Sequence, residues 1–97
     1  MQRPIFRLSE AISRNKLISY AETWRQIAGP ALLKVSEFRG VSMIKDKLTL
    51  CLVISDPVWR QELFHQRRDL LSSYRKILKE RGLAETDIPS AIQFRAL

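Results

Sequence analysis

Few side chains in this 97-residue sequence could make or break bonds, since it contains one His and one Cys. His65 has Glu62 and Asp69 one helical turn away on either side, a spacing that superficially suits a metal site or a proton relay. Two carboxylates and one imidazole lack a fourth ligand, however, and a solvated histidine accounts for the pattern. Cys51 has no second cysteine and no His near it in sequence, so it reads as a small, semi-buried side chain rather than a nucleophile. The chain carries no phosphate-cradling glycine pattern, no nucleophile elbow and no HExxH. The expectation is a non-enzymatic protein without metal, cofactor or small-molecule substrate, and binding is its default activity.

Charge points to what is bound. Seventeen Lys and Arg stand against ten Asp and Glu, a net +7, which favours polyanions such as nucleic acid. Residues 1–35 hold six basic and two acidic groups, 36–56 three of each, and 57–97 eight and five. The excess lies on helical segments, so there is no basic arm. The N-terminal "MQRPIFRLSE" lacks the apolar core of a signal peptide, and no apolar run nears the roughly 20 residues of a membrane span. A cytoplasmic protein with no membrane partner is expected.

The elements that must position these charges can be read from hydrophobic period. Ile5, Leu8 and Ile12 predict a short first helix opened by Pro4. Tyr20, Ala21, Trp24, Ile27, Ala28 and Ala31 predict a second helix from about Leu17, with a Ser19/Glu22 capping box and either a kink or a break and restart near Gly29–Pro30, before it ends near Lys34. Leu48, Leu50, Leu52 and Ile54 then alternate with Thr49, Cys51 and Val53, the clearest strand. "EFRGVSMI" reads as its hairpin partner across "KDK", with Gly40 marking a bulge. Asp56 and Pro57 form an N-cap and first turn for a third helix running to Arg81, closed by Gly82. "SAIQFRA" supplies the last strand. The predicted architecture is a single α+β domain over 1–97, in the order α-α-β-β-α-β, its three-stranded sheet covered by helices on one face.

Projected at about 100° per residue, the third helix divides into three faces. Trp59, Leu63, Leu70, Leu71, Tyr74, Ile77 and Leu78 share one arc and face the sheet. Arg68, Arg75, Lys76, Lys79 and His65 share another, segregated from Glu62, Asp69 and Glu80. Arg60 and Arg67 fall within the apolar span, where their stems cover the core edge while the guanidinium groups reach outward. Packing rather than base stacking is the reading for Trp59 and Trp24. Candidate nucleic-acid contacts are therefore Arg68, Arg75, Lys76 and Lys79, with Arg60 and Arg67 beside them. The uncovered sheet face is the candidate partner surface: by parity it takes Glu37, Arg39, Val41, Met43, Thr49, Cys51, Val53, Gln93 and Arg95.

The stretches "ETWRQIAGPALLKVSEF", "LTLCLVISDPVWRQELFHQRRDLLSSYRKIL" and "IQFRA" together resemble the DciA-like family, over about residues 16–96. Trp24, Ile27, Ala28, Gly29, Trp59, Glu62, Leu63, Ile92, Phe94 and Arg95 carry the resemblance. It implies a domain similar to the K-homology fold, DNA binding with strand preference open, and interaction with the bacterial replicative helicase DnaB. A K-homology domain that clamps single strands uses a GxxG loop, which this sequence lacks. Its Trp and Gly matches read as fold determinants. Two other functions fit the residues alone: an adaptor or homodimer working through the sheet face with no nucleic-acid role, and an RNA-binding protein.

Overall fold

A computed structural model describes the backbone from Arg3 and the side chains from Lys16 to Leu97. The order is α1 (Arg3–Leu33), β1 (Ser36–Ile44), β2 (Lys47–Ile54), α2 (Pro57–His65), α3 (Arg67–Glu80), a 3-10 turn (Glu85–Asp87) and β3 (Ala91–Arg95). The class is α+β, as the periodicity predicts. The helices divide differently. The two expected before the hairpin are one element, kinked at Gly29 (φ 75°, ψ 171°) just before Pro30. At that left-handed φ a side chain would be strained, and the following proline cannot donate to the preceding turn. Ser19 therefore lies inside a helix and caps nothing. The side chains of Ile5, Leu8 and Ile12 lie outside the described residues.

The single helix expected over 57–81 is two, broken at Gln66 (φ −97°, ψ 9°). Asp56 caps α2 as expected, its carboxylate accepting from Val58 N at 2.8 Å and Trp59 N at 3.3 Å. α2 rests on β2 and β3, whereas α3 rests on α1 and β3. Each half thus follows its own support. Leu63, Tyr74 and Leu78 are buried as projected, but Trp59 is 37 % exposed. A single-axis projection does not survive the break, and Trp59, one turn before Leu63, falls at the rim.

β1 and β2 pair antiparallel, and β3 lies parallel to β2 on its other side, giving the order β1-β2-β3. The hairpin turns through Lys45 and Asp46, both at positive φ, the geometry that matches strand twist in two-residue turns. Tyr20, Trp24 and Leu32 of α1 close over Leu50, Leu52 and Ile54 of β2, together with Leu63, Tyr74, Leu78 and Ile88. All three β2 residues share one parity, so the core lies on one face of the sheet. Three hydroxyl and indole bonds tie it: Tyr74 Oη donates to Tyr20 O (2.8 Å), Tyr20 Oη to Asp87 O (2.6 Å) and Trp24 Nε1 to Ser36 Oγ (3.3 Å).

The bulge expected at Gly40 is present and has a larger effect than its position suggests. Phe38 pairs with Leu52 and Gly40 with Cys51, leaving Arg39 as the extra residue; Gly40 takes φ 108°. Beyond it Val41 pairs with Leu50 and Met43 with Leu48. Val41 and Met43 are therefore on the helix side, not on the uncovered face where simple alternation puts them. Val41 packs against the core, and Met43 lies at its margin, 66 % exposed. An inserted residue reverses the facing of everything after it.

Candidate functional site

α3 carries its cations outward because Leu70, Tyr74 and Leu78 bind its other side to the core. Arg68, Arg75, Lys76 and Lys79 line one shallow, open groove of about 500 Å³ along the face of α3, together with Leu71 and Ser72. Asp69 and Glu80 are outside the lining. The four cations expected on one stripe are thus brought together. Arg60 and Arg67 do not line this groove. Arg60 Nη1 donates to Ile54 O at 3.0 Å, so its stem spans from α2 to the end of β2. The Arg67 guanidinium lies 4.2 Å from the centroid of the Phe64 ring and donates to Phe64 O at 2.8 Å, a cation–π contact beside the helix break.

The four groove cations are not equivalent. Arg68, Lys76 and Lys79 are exposed, while the Arg75 side chain is only 25 % exposed. Its Nη1 donates to Pro89 O at 2.8 Å and Ile88 O at 3.4 Å, and its Nη2 donates to Glu85 Oε1. Lys79 Nζ approaches the other carboxylate oxygen, Glu85 Oε2, at 3.5 Å. The hydrogen bond from Arg75, reinforced by the charges of Arg75 and Lys79, holds the Glu85 carboxyl below the usual carboxylate range. Burial pushes the Tyr74 phenol well above its ordinary value, as it does Tyr20 with the added effect of the Asp87 charge.

On the uncovered sheet face, Arg39, Cys51, Val53 and Arg95 line a second hollow of about 300 Å³ with Leu97. The Cys51 thiol lies 3.7 Å from Thr49 O and 3.8 Å from Gln93 Oε1, a weak donor between two acceptors. Arg39 pairs with Glu37 at 3.3 Å. Seven of the nine residues that parity places on this face remain there, Thr49 and Val53 buried within it; Val41 and Met43 leave it. His65 meets the Phe64 ring edge-on at 6.4 Å. Among the described residues no three His, Cys, Asp or Glu side chains gather to hold a metal, and no helix is long and apolar enough to cross a membrane.

One residue of the groove, Ser72, and one that pairs with two of its cations, Glu85, escaped the sequence reading. Ser72 is four residues after Arg68, so helical phase alone places it on the basic stripe. Glu85 carries no such signal: it follows the turn at Gly82 and reaches Arg75 only because the 3-10 turn folds back along α3.

Fold and groove together define a small α+β domain with a one-sided sheet and a cationic helix face. The family described as Dna[CI] antecedent, DciA, matches residues 6–88, and the chain belongs to that family. No curated protein matches the sequence. Membership implies a helicase-loading role in bacterial DNA replication, links the chain to the replicative helicase DnaB, and brings no known enzymatic activity with it.

Proposed function

We propose that this domain is a cytoplasmic, K-homology-like module that holds DNA against the groove of α3 while its uncovered sheet face docks on DnaB. The observation that carries the reading is the gathering of Arg68, Arg75, Lys76 and Lys79 along one groove from which Asp69 and Glu80 are absent. Phosphate contacts from such a stripe position nucleic acid without reading its bases. The junction between α2 and α3 carries Gln66, Arg67 and Arg68 in place of a GxxG clamp, so side-chain cations rather than backbone amides hold the phosphates. For the helicase, Arg39, Cys51, Gln93 and Arg95, with Val53 buried between them, offer a mixed face that no helix covers among the described residues, on the opposite side of the sheet from the groove.

One double variant tests both halves. Arg68→Glu with Lys76→Glu spares Arg75, whose bonds to Ile88 and Pro89 are structural. Affinity for a labelled oligonucleotide should fall by about tenfold or more at low salt, and the slope of log K against log salt should flatten by about two. Capture of the cognate helicase by the same variant should be unchanged. DNA affinity equal to that of the unaltered chain would overturn the groove assignment, and loss of helicase capture would move the docking surface onto α3.

A further inference from the structure

Two of the groove cations already hold an anion of the protein's own. Glu85 places one carboxylate oxygen on Arg75 Nη2 and the other 3.5 Å from Lys79 Nζ. Its side chain is 63 % exposed, and the 3-10 turn that bears it has no side-chain cap. The receiving guanidinium is fixed from behind, because Ile88 O and Pro89 O take its other terminal nitrogen. A partly buried arginine held by two carbonyls, with a lysine one turn further along the helix, is a preorganised two-point cradle for an oxyanion. Arg75 also lines a neighbouring hollow of about 420 Å³ with Glu85, Met43 and Ser90, so its side chain is shared between the groove and the hollow that Glu85 lines.

We propose that Arg75 and Lys79 form a phosphate-oxyanion subsite that the Glu85 carboxylate fills in the free protein, and that a phosphodiester displaces Glu85 when nucleic acid binds. This rests on the groove reading above and adds a residue that holds affinity down. Carboxylate and phosphate oxygens compete for the same donors, and an exposed carboxylate surrenders them at small cost because solvent and salt already weaken such pairs. Displacement leaves Arg75 anchored, since its carbonyl partners are not part of the exchange. Glu80 supplies the control: it is exposed on the same helix, carries the same charge, lines neither concavity and forms no ion pair among the described residues.

The test compares Glu85→Gln with Glu80→Gln in the full chain, by anisotropy titration of a fluorescein-labelled oligonucleotide across a salt series. Each variant gains one net positive charge. Glu85→Gln should tighten binding by roughly 3- to 10-fold at low salt and steepen the log–log salt slope by about one, the signature of one added phosphate contact. Glu80→Gln should change affinity by less than about twofold, and Glu85→Asp, which keeps the charge, should stay near the unaltered chain. Equal gains from the two glutamine variants would overturn the proposal and leave the groove reading standing. An independent arm titrates inorganic phosphate and follows the Arg75 side-chain Nε–H resonance by NMR. That resonance should move at lower phosphate in Glu85→Gln, and identical phosphate midpoints would again overturn the subsite. If Arg75 responds this way but no oligonucleotide binds, the subsite stands and the nucleic-acid reading falls.

Discussion

The outer face of α3 and the uncovered face of the sheet both meet solvent, yet they spend their polar groups in opposite ways. On α3 the cations stand in excess, and the acid that answers two of them comes from a separate turn, Glu85. On the sheet three polar pairs form within the face: Cys51 with Gln93, Thr49 with the carbonyl of Lys47, and Arg39 with Glu37. One surface draws its counter-ion from a separate turn, and the other finds most of its partners within itself. Net charge of the whole chain does not distinguish them; the source of each counter-ion does.

Adjacent residues of β2 face opposite ways, and variants there separate the two sides of the sheet. Leu52→Ala, on the fully buried side, should cost about 2–5 kcal/mol, whereas Cys51→Ala, on the uncovered side, should cost about 1 kcal/mol or less. Urea denaturation of the two variants measures both, and equal losses would show that the uncovered face is core in solution. The next contrast lies within α3. Arg75→Ala removes the donor to Ile88 O and Pro89 O and should cost about 1–3 kcal/mol, while Arg68→Ala should remain within about 0.5 kcal/mol of the unaltered protein. Similar losses in urea would return Arg75 to the same class as its neighbours.

The smallest effect is acid-dependent. Glu85 keeps its proton off at lower pH in the folded chain than in the unfolded one, so its contribution is complete above the ordinary carboxylate range. It is lost as pH falls through the depressed folded value. Thermal melts of the unaltered chain and Glu85→Gln should therefore differ near neutrality and converge in acid. A difference that persists into strong acid would mean that the Arg75 pairing is not its source.

Much of this molecule was legible before its coordinates. Alternation located β2 because each Leu or Ile on its even positions faces helices and each odd residue does not. Helical spacing found Trp24, Leu63, Tyr74 and Leu78 because burial imposes that spacing. Asp56–Pro57 announced the start of α2 through a cap that depends on neighbouring residues alone. The break at Gln66 stayed hidden because Leu63 and Leu70, two turns apart, keep hydrophobic phase across it, and no Gly or Pro marks the spot. It arises from tertiary support, α2 on the sheet and α3 on α1. The stripe of Arg68, Arg75, Lys76 and Lys79 was likewise readable from phase. That Arg75 is half structural was not, since its partners Glu85, Ile88 and Pro89 arrive from a loop with no periodicity of its own.

The extra residue at Arg39 bears on how sequence variation in this strand should be interpreted. Phe38 and Val41 both reach the core although three positions separate them, a spacing that an unbroken strand would send to opposite faces. Arg39 is therefore surplus to the pairing itself: replacing it leaves every later contact of β1 in phase, and deleting it would join Phe38 to Gly40 in plain alternation, with Val41 still opposite Leu50 and Ser42 still opposite Thr49.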